Sequence, residues 1–131
     1  MGSICLLVAH EHRSSRDVLT AAIKMLRPAI EVINLEPELL DEAVLRWQPK
    51  LVVCSRLTQG VEASQSDWIL LYPEGERRVE QRIAGHRATA EDLDFGVLLA
   101  YLDRLVGLAR YGRGEQSRGR QRSSETAGCL R

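Results

Sequence analysis

The chain predicts an α/β domain, a small doubly wound, mostly parallel sheet of about five strands with the last one antiparallel in an edge hairpin. Three observations carry this. Ile4–Ala9 and Leu51–Cys54 are unbroken apolar runs, too short for helices and of the kind that strands buried on both faces show. Apolar residues at helical spacing separate these runs. The link Pro73–Glu76 between the last two strand-like segments is too short for a parallel crossover, so those two segments form a hairpin.

The elements follow in order. After Ile4–Ala9, Ser14 or Ser15 is placed to cap a helix, with Asp17 three residues beyond Ser14. Leu19, Ala22, Ile23 and Leu26 make its apolar stripe, and Pro28 stops it. Ile30, Val32, Ile33 and Leu35 form a second strand. Pro37 opens a second helix, whose stripe is Leu40, Ala43, Val44 and Trp47 and whose end is Pro49. Leu51–Cys54 is the third strand. Residues 56–67 are polar and read as a loop or one short helical turn. Trp68–Tyr72 is the fourth strand, and alternation through Val79, Gln81 and Ile83 gives the fifth. Thr89, with Asp92 three residues on, reads as the cap of a last helix with the stripe Leu93, Val97, Leu98, Tyr101, Leu102 and Leu105, closed by Gly112.

Composition narrows the class. The 131 residues suit one domain, with 18 basic and 18 acidic side chains and 44% apolar residues. No apolar run reaches the length of a membrane helix, and Ile4–Ala9 lacks the basic lead of a secretory signal. Three cysteines without CxxC spacing give no zinc ribbon and no disulfide framework. A cytoplasmic location is expected. Residues 1–111 form the domain. Residues 112–131 hold five arginines and two glutamates, with Leu130 the only large apolar residue. That segment reads as a disordered tail, and nucleic-acid binding through it is not expected, since it carries no aromatic residue.

The segments LLVAHEHRSSRDVLTAAI, QPKLVVCS and GHRATAEDL resemble the first strand and helix, the third strand and the final turn of the response-regulator receiver domain, a bacterial two-component signalling module. The resemblance covers about residues 3–107. It implies a flavodoxin-like fold and places the family's chemical positions on this chain. The Mg²⁺-holding acidic pair falls on His10 and Glu11, the phosphoacceptor on Ser55, the hydroxyl switch on Tyr72 and the lysine on His86, or on Gly85 with a one-residue slip. Tyr72 stands 17 positions after Ser55, and His86 stands 14 positions after Tyr72. Neither interval has room for the family's helix, so the chain resembles a shortened, degenerate pseudo-receiver.

The chemistry of these residues agrees. Mg²⁺ takes hard oxygen ligands, and a lone glutamate between two histidines supplies few. A serine cannot form the acyl phosphate that an aspartate forms. No catalytic residue, no cofactor and no enzymatic activity are therefore expected. The expected function is a non-phosphorylatable signalling or interaction module that binds a protein partner or a second copy. The alternative is a small ligand- or metal-binding domain using His10, Glu11 and His12, which leave the first strand at its carboxyl end, where open α/β sheets bind ligands. On the hairpin reading His86 lies at the opposite edge. Cys54 points away from Ser55 into a packed layer, Trp47 anchors a core and Trp68 is the candidate for an exposed contact. With two helices missing, Val52, Leu70 and Val79 or Ile83 are expected to line an open stretch of sheet. Together with a broadly apolar final helix, this stretch predicts association through that helix and the hairpin edge.

Overall fold

The computed structural model describes residues 4–116, with the side chains of the last helix described as far as residue 107. The order is β1 (Ile4–Ala9), α1 (Arg13–Leu26), β2 (Ile30–Asn34), a 3₁₀ turn at Pro37–Leu39, α2 (Leu40–Trp47), β3 (Leu51–Cys54), α3 (Gln59–Ala63), β4 (Asp67–Leu71), a tight turn at Pro73–Gly75, β5 (Val79–Ile83), β6 (His86–Ala90) and α4 (Phe95–Gln116). The six strands form one sheet in the order β2-β1-β3-β4-β5-β6. The first four are parallel, and β5 and β6 each run antiparallel to the strand before. This is an α/β fold with a mixed sheet, parallel at its core and antiparallel at the β4-β5-β6 edge.

Strand periodicity divides the core in two. Every residue of β1 and β3 is buried, and successive side chains alternate between faces. Leu6, Val8, Leu51 and Val53 join Leu19 and Ile23 of α1 and Leu98, Tyr101 and Leu102 of α4. Cys5, Leu7, Val52 and Cys54 join Leu40, Ala43 and Val44 of α2 and Val61 of α3. Crossover handedness explains the sorting. The chain steps outward from β1 to β2, then back past β1 to β3 and on to β4. Right-handed connections in opposite directions place α1 on one face and α2 and α3 on the other.

Four details depart from the sequence reading. The first is a sixth strand, β6, where Thr89 is expected to cap a helix. The capping role belongs to Asp94, whose carboxylate accepts from the Val97 N–H at 3.1 Å. The second is the start of α1. His12 is its N-cap residue, no side chain caps it, and Ser14 and Ser15 lie within the first turn. The third is the end of α4, which continues to Gln116, because glycine lowers helix propensity without forcing a stop. Beyond residue 116 the expected tail lies outside the described residues.

The fourth concerns the sheet face expected to be open. The residues expected there lie on two faces, Val52 and Leu70 in the layer of α2 and α3 and Val79 and Ile83 in that of α1 and α4. The first three are buried and only Ile83 is half-exposed. Trp68, expected at the surface, is 0% exposed. The short helix α3 is one reason. Thr58 caps it by accepting from the Val61 N–H at 3.3 Å and donates to Asp41 of α2. The hairpin is the other. The guanidinium carbons of Arg82 and Arg87 lie 5.8 and 5.3 Å from the Trp68 ring centre. Arg82 also donates to the carbonyls of Glu62, Ser64 and Ser66 at 3.1, 3.0 and 2.8 Å. One guanidinium thus closes the α3–β4 loop over the indole.

Arg82→Ala should therefore lower unfolding stability by about 2 kcal/mol, the cost of removing charge-assisted hydrogen bonds from partly buried acceptors. Arg82→Lys should recover only a minority of it, because one ammonium lacks the planar fork that reaches three carbonyls. Urea denaturation followed by Trp68 fluorescence measures both. Equal stability for Arg82→Ala and the parent chain would show that the loop is held by other contacts.

Candidate functional site

The carboxyl ends of β1, β3 and β4 form one edge of the sheet, and the sequence places four of its five singled-out residues there. His10 and Glu11 follow β1, Ser55 follows β3 and Tyr72 follows β4. His86 opens β6 and pairs with Ile83, one step beyond the Arg82–Trp68 pair, so it lies toward the amino end of β4. It belongs to no common site with the other four.

The edge is closed by its own hydrogen bonds. Ser55 is 3% exposed, and its hydroxyl accepts from the Glu11 N–H at 2.8 Å. This bond ties the loop after β1 to the end of β3. His10 is 2% exposed. Its Nδ1 accepts from the His12 N–H at 3.1 Å, which leaves the ring proton of neutral His10 on Nε2. Nε2 is buried with no partner at hydrogen-bonding geometry. Burial is the main force holding the imidazole pKa below its ordinary 6.5. The positive field of His12 acts in the same direction, as does Arg16 more weakly. The Leu71 carbonyl and Glu11 oppose them.

Arg16 carries a role the sequence reading overlooks. It is 7% exposed, with Nη1 donating to the His10 carbonyl at 3.0 Å and Nε to Asn34 Oδ1 at 2.8 Å. The Asn34 amide in turn donates to Asp17 and Thr20 at 3.0 and 3.1 Å. These bonds fasten α1 to the ends of β1 and β2. A signal for it exists in the sequence. Arg16, Leu19, Thr20 and Ile23 stand at i, i+3, i+4 and i+7, and all four are buried. The polar members are simply invisible to an apolar stripe.

At the β4 end, Tyr72 has a left-handed backbone (φ 50°), and its hydroxyl donates to Asp92. This bond raises the Tyr72 pKa and lowers that of Asp92. Tyr72 thereby joins β4 to the segment that leads into α4. Cys54 lies in the opposite layer as expected, its thiol pushed up to about 12 by burial.

The three residues considered for a metal do not converge. His10 turns inward with Nδ1 engaged, while Glu11 and His12 are exposed. The two imidazole centres are 5.4 Å apart. No group of three or more histidine, cysteine or acidic side chains is placed to hold a metal among the described residues. Beside the edge, α1 and α4 leave a groove of about 490 Å³, lined by Ser14, Ser15, Val18, Ala22, Leu71 and Phe95. Val18 is 69% exposed within it. No helix among the described residues is long and apolar enough to cross a membrane.

The buried neutral His10 makes stability depend on pH with a definite sign. Its folded pKa is depressed, so the unfolded chain binds the proton first as pH falls below about 6.5. Stability is then lost progressively until pH reaches the folded pKa. Urea midpoints between pH 7.5 and 5.5 should fall in the parent chain and fall less steeply in His10→Asn. Parallel slopes would remove His10 as the cause.

Comparison of the chain with protein-family models, with curated proteins and with solved structures finds no match.

Proposed function

We propose that the chain is a receiver-like module that is not phosphorylated and that works by binding a protein partner. The observation that carries this reading is the state of Ser55. At the end of β3, where receivers hold their acceptor carboxylate, a hydroxyl is buried and engaged by the Glu11 N–H. It lacks the chemistry of an acyl-phosphate acceptor, and among the described residues no base is hydrogen-bonded to it to make it a nucleophile. Glu11 is exposed, and it belongs to no group of three or more histidine, cysteine or acidic side chains placed to hold a cation among the described residues. The strand order β2-β1-β3-β4, with helices on both faces, supports the likeness to receivers. Contact chemistry is present where reaction chemistry is missing. The groove between α1 and α4 is apolar, open and adjacent to the same edge, as partner-binding surfaces are.

Acetyl phosphate or beryllofluoride with Mg²⁺ should leave the mass and the amide NMR spectrum unchanged. An Mg²⁺-dependent change that vanishes in Ser55→Ala would overturn the proposal. The metal-binding reading makes a different prediction. Ligation by His10 and His12 requires Zn²⁺ or Ni²⁺ to raise the melting temperature by mass action. With Nδ1 of His10 already engaged, no rise is expected. A rise lost in the His10→Ala/His12→Ala double variant would favour that reading instead.

A further inference from the structure

β6 ends the sheet with its outer side unpaired, and its sequence is complementary to itself. The strand pairs with β5 alone among the described residues, and all five of its residues are exposed. Ala84 and Gly85 make a two-residue turn with φ of 54° and 82°, the left-handed pair of a type I′ hairpin. In such a turn the His86 N–H faces the Ile83 carbonyl. The alternation of an antiparallel ladder then makes Ile83–His86, Gln81–Ala88 and Val79–Ala90 the hydrogen-bonded pairs. The peptide groups of Arg87 and Thr89 therefore point away from β5, into the open edge. Sheet edges are commonly blunted by proline, lysine, a bulge or a covering element. β6 has no proline or lysine and one charged residue, Arg87, which is held on the Trp68 ring; its register with β5 is continuous, and nothing covers it among the described residues.

Residues 86–92 read His-Arg-Ala-Thr-Ala-Glu-Asp. β6 itself ends at Ala90, and the chain bends at Glu91 and Asp92. With the segment laid antiparallel on a second copy about a two-fold axis at Thr89, Thr89 meets Thr89, Ala88 meets Ala90 and Arg87 comes opposite Glu91, the first residue past the strand. The outward peptide groups of Arg87 and Thr89 fall in the hydrogen-bonding positions of this register. Moving the axis to Ala88 keeps those positions but sets Arg87 against Thr89 and Glu91 against Gly85, so the charge match is lost. Glu91 is an exposed carboxylate with no hydrogen bond or ion pair among the described residues. Arg87 is held on the Trp68 ring and paired with Glu62 at 3.0 Å. Its guanidinium can bridge Glu62 to Glu91 of the second copy. Asp92 already serves Tyr72 and Arg77, so the Arg87–Glu91 pairs carry the specificity.

We propose that the chain forms a two-fold dimer by antiparallel β6–β6 pairing centred on Thr89, joining two sheets of six strands into one. This rests on the partner-binding reading and names a second copy as one partner.

Sedimentation equilibrium on the full chain tests it through charge reversal. The parent chain should dimerise at concentrations up to about 200 µM. Glu91→Arg should weaken the dimer about tenfold or more, since the two-fold axis creates two like-charge pairs. It should leave the melting temperature of the monomer unchanged. Arg87→Glu should weaken the dimer likewise, while lowering the melting temperature of the monomer, because it removes the Glu62 pair and part of the cover over Trp68. The Arg87→Glu/Glu91→Arg double variant should restore dimerisation. Mixing the two single variants should give a mixed dimer, because each then meets the opposite charge at both ends. A parent chain monomeric at about 200 µM would overturn the proposal. So would a dimer indifferent to Glu91→Arg, or single variants that fail to associate when mixed. None of these results bears on the phosphorylation test, so the two readings fail separately.

Discussion

The constraint on which the structure depends is the burial of β1 and β3 on both faces. All ten of their residues are buried, and alternate side chains must find separate apolar layers. A sheet with one covered face cannot satisfy such sequences. The chain must therefore send helices to both sides, and crossover handedness decides which helix goes where. α1 and α4 meet Leu6, Val8 and Val53, while α2 and α3 meet Leu7, Val52 and Cys54. The carboxyl ends of the parallel strands are a by-product of this arrangement. They gather the loops after β1, β3 and β4 at one edge whether or not chemistry occurs there.

What occupies that edge is fastening. Ser55, His10, Arg16 and Asn34 direct hydrogen bonds at the backbone and at each other. The buried Arg16 has no carboxylate partner within ion-pair distance among the described residues, and its charge is solvated by the His10 carbonyl and the Asn34 amide oxygen. On the neighbouring surface, by contrast, Val18 and Val97 stand 69% and 63% exposed.

The legibility of the sequence followed the strength of burial. β1 and β3 were readable because two-sided burial leaves an unbroken apolar run. β5 was readable as a strand because Val79, Gln81 and Ile83 alternate with their neighbours, and as antiparallel because the Pro73–Glu76 link is too short for a parallel crossover. β6 was not, because neither of its faces is buried, so His-Arg-Ala-Thr-Ala carries no alternation at all. Thr89 then looked like a helix cap, since Thr followed by an acid is what a cap looks like when no strand is suspected. At the edge, residue placement was legible and side-chain direction was not. Nothing local in the sequence states that His10 turns inward while Glu11 and His12 turn out.

Trp68 shows the same limit at longer range. A tryptophan at the start of a strand after a polar loop suggests exposure, and its neighbours in sequence offer nothing to cover it. The cover comes from Arg82 and Arg87, brought back over the ring by the antiparallel return of β5 and β6. Register explains why these two arginines act together. They are cross-strand partners, on the sheet face that holds Trp68. Two like charges directly opposite repel, and here each has its own sink. Arg82 is taken up by three loop carbonyls and Arg87 by Glu62. The hairpin thus covers this part of the sheet with two guanidinium planes where no helix lies over the indole among the described residues. The same geometry leaves β6 projecting beyond the packed layers, an edge with a peptide ladder on one side only.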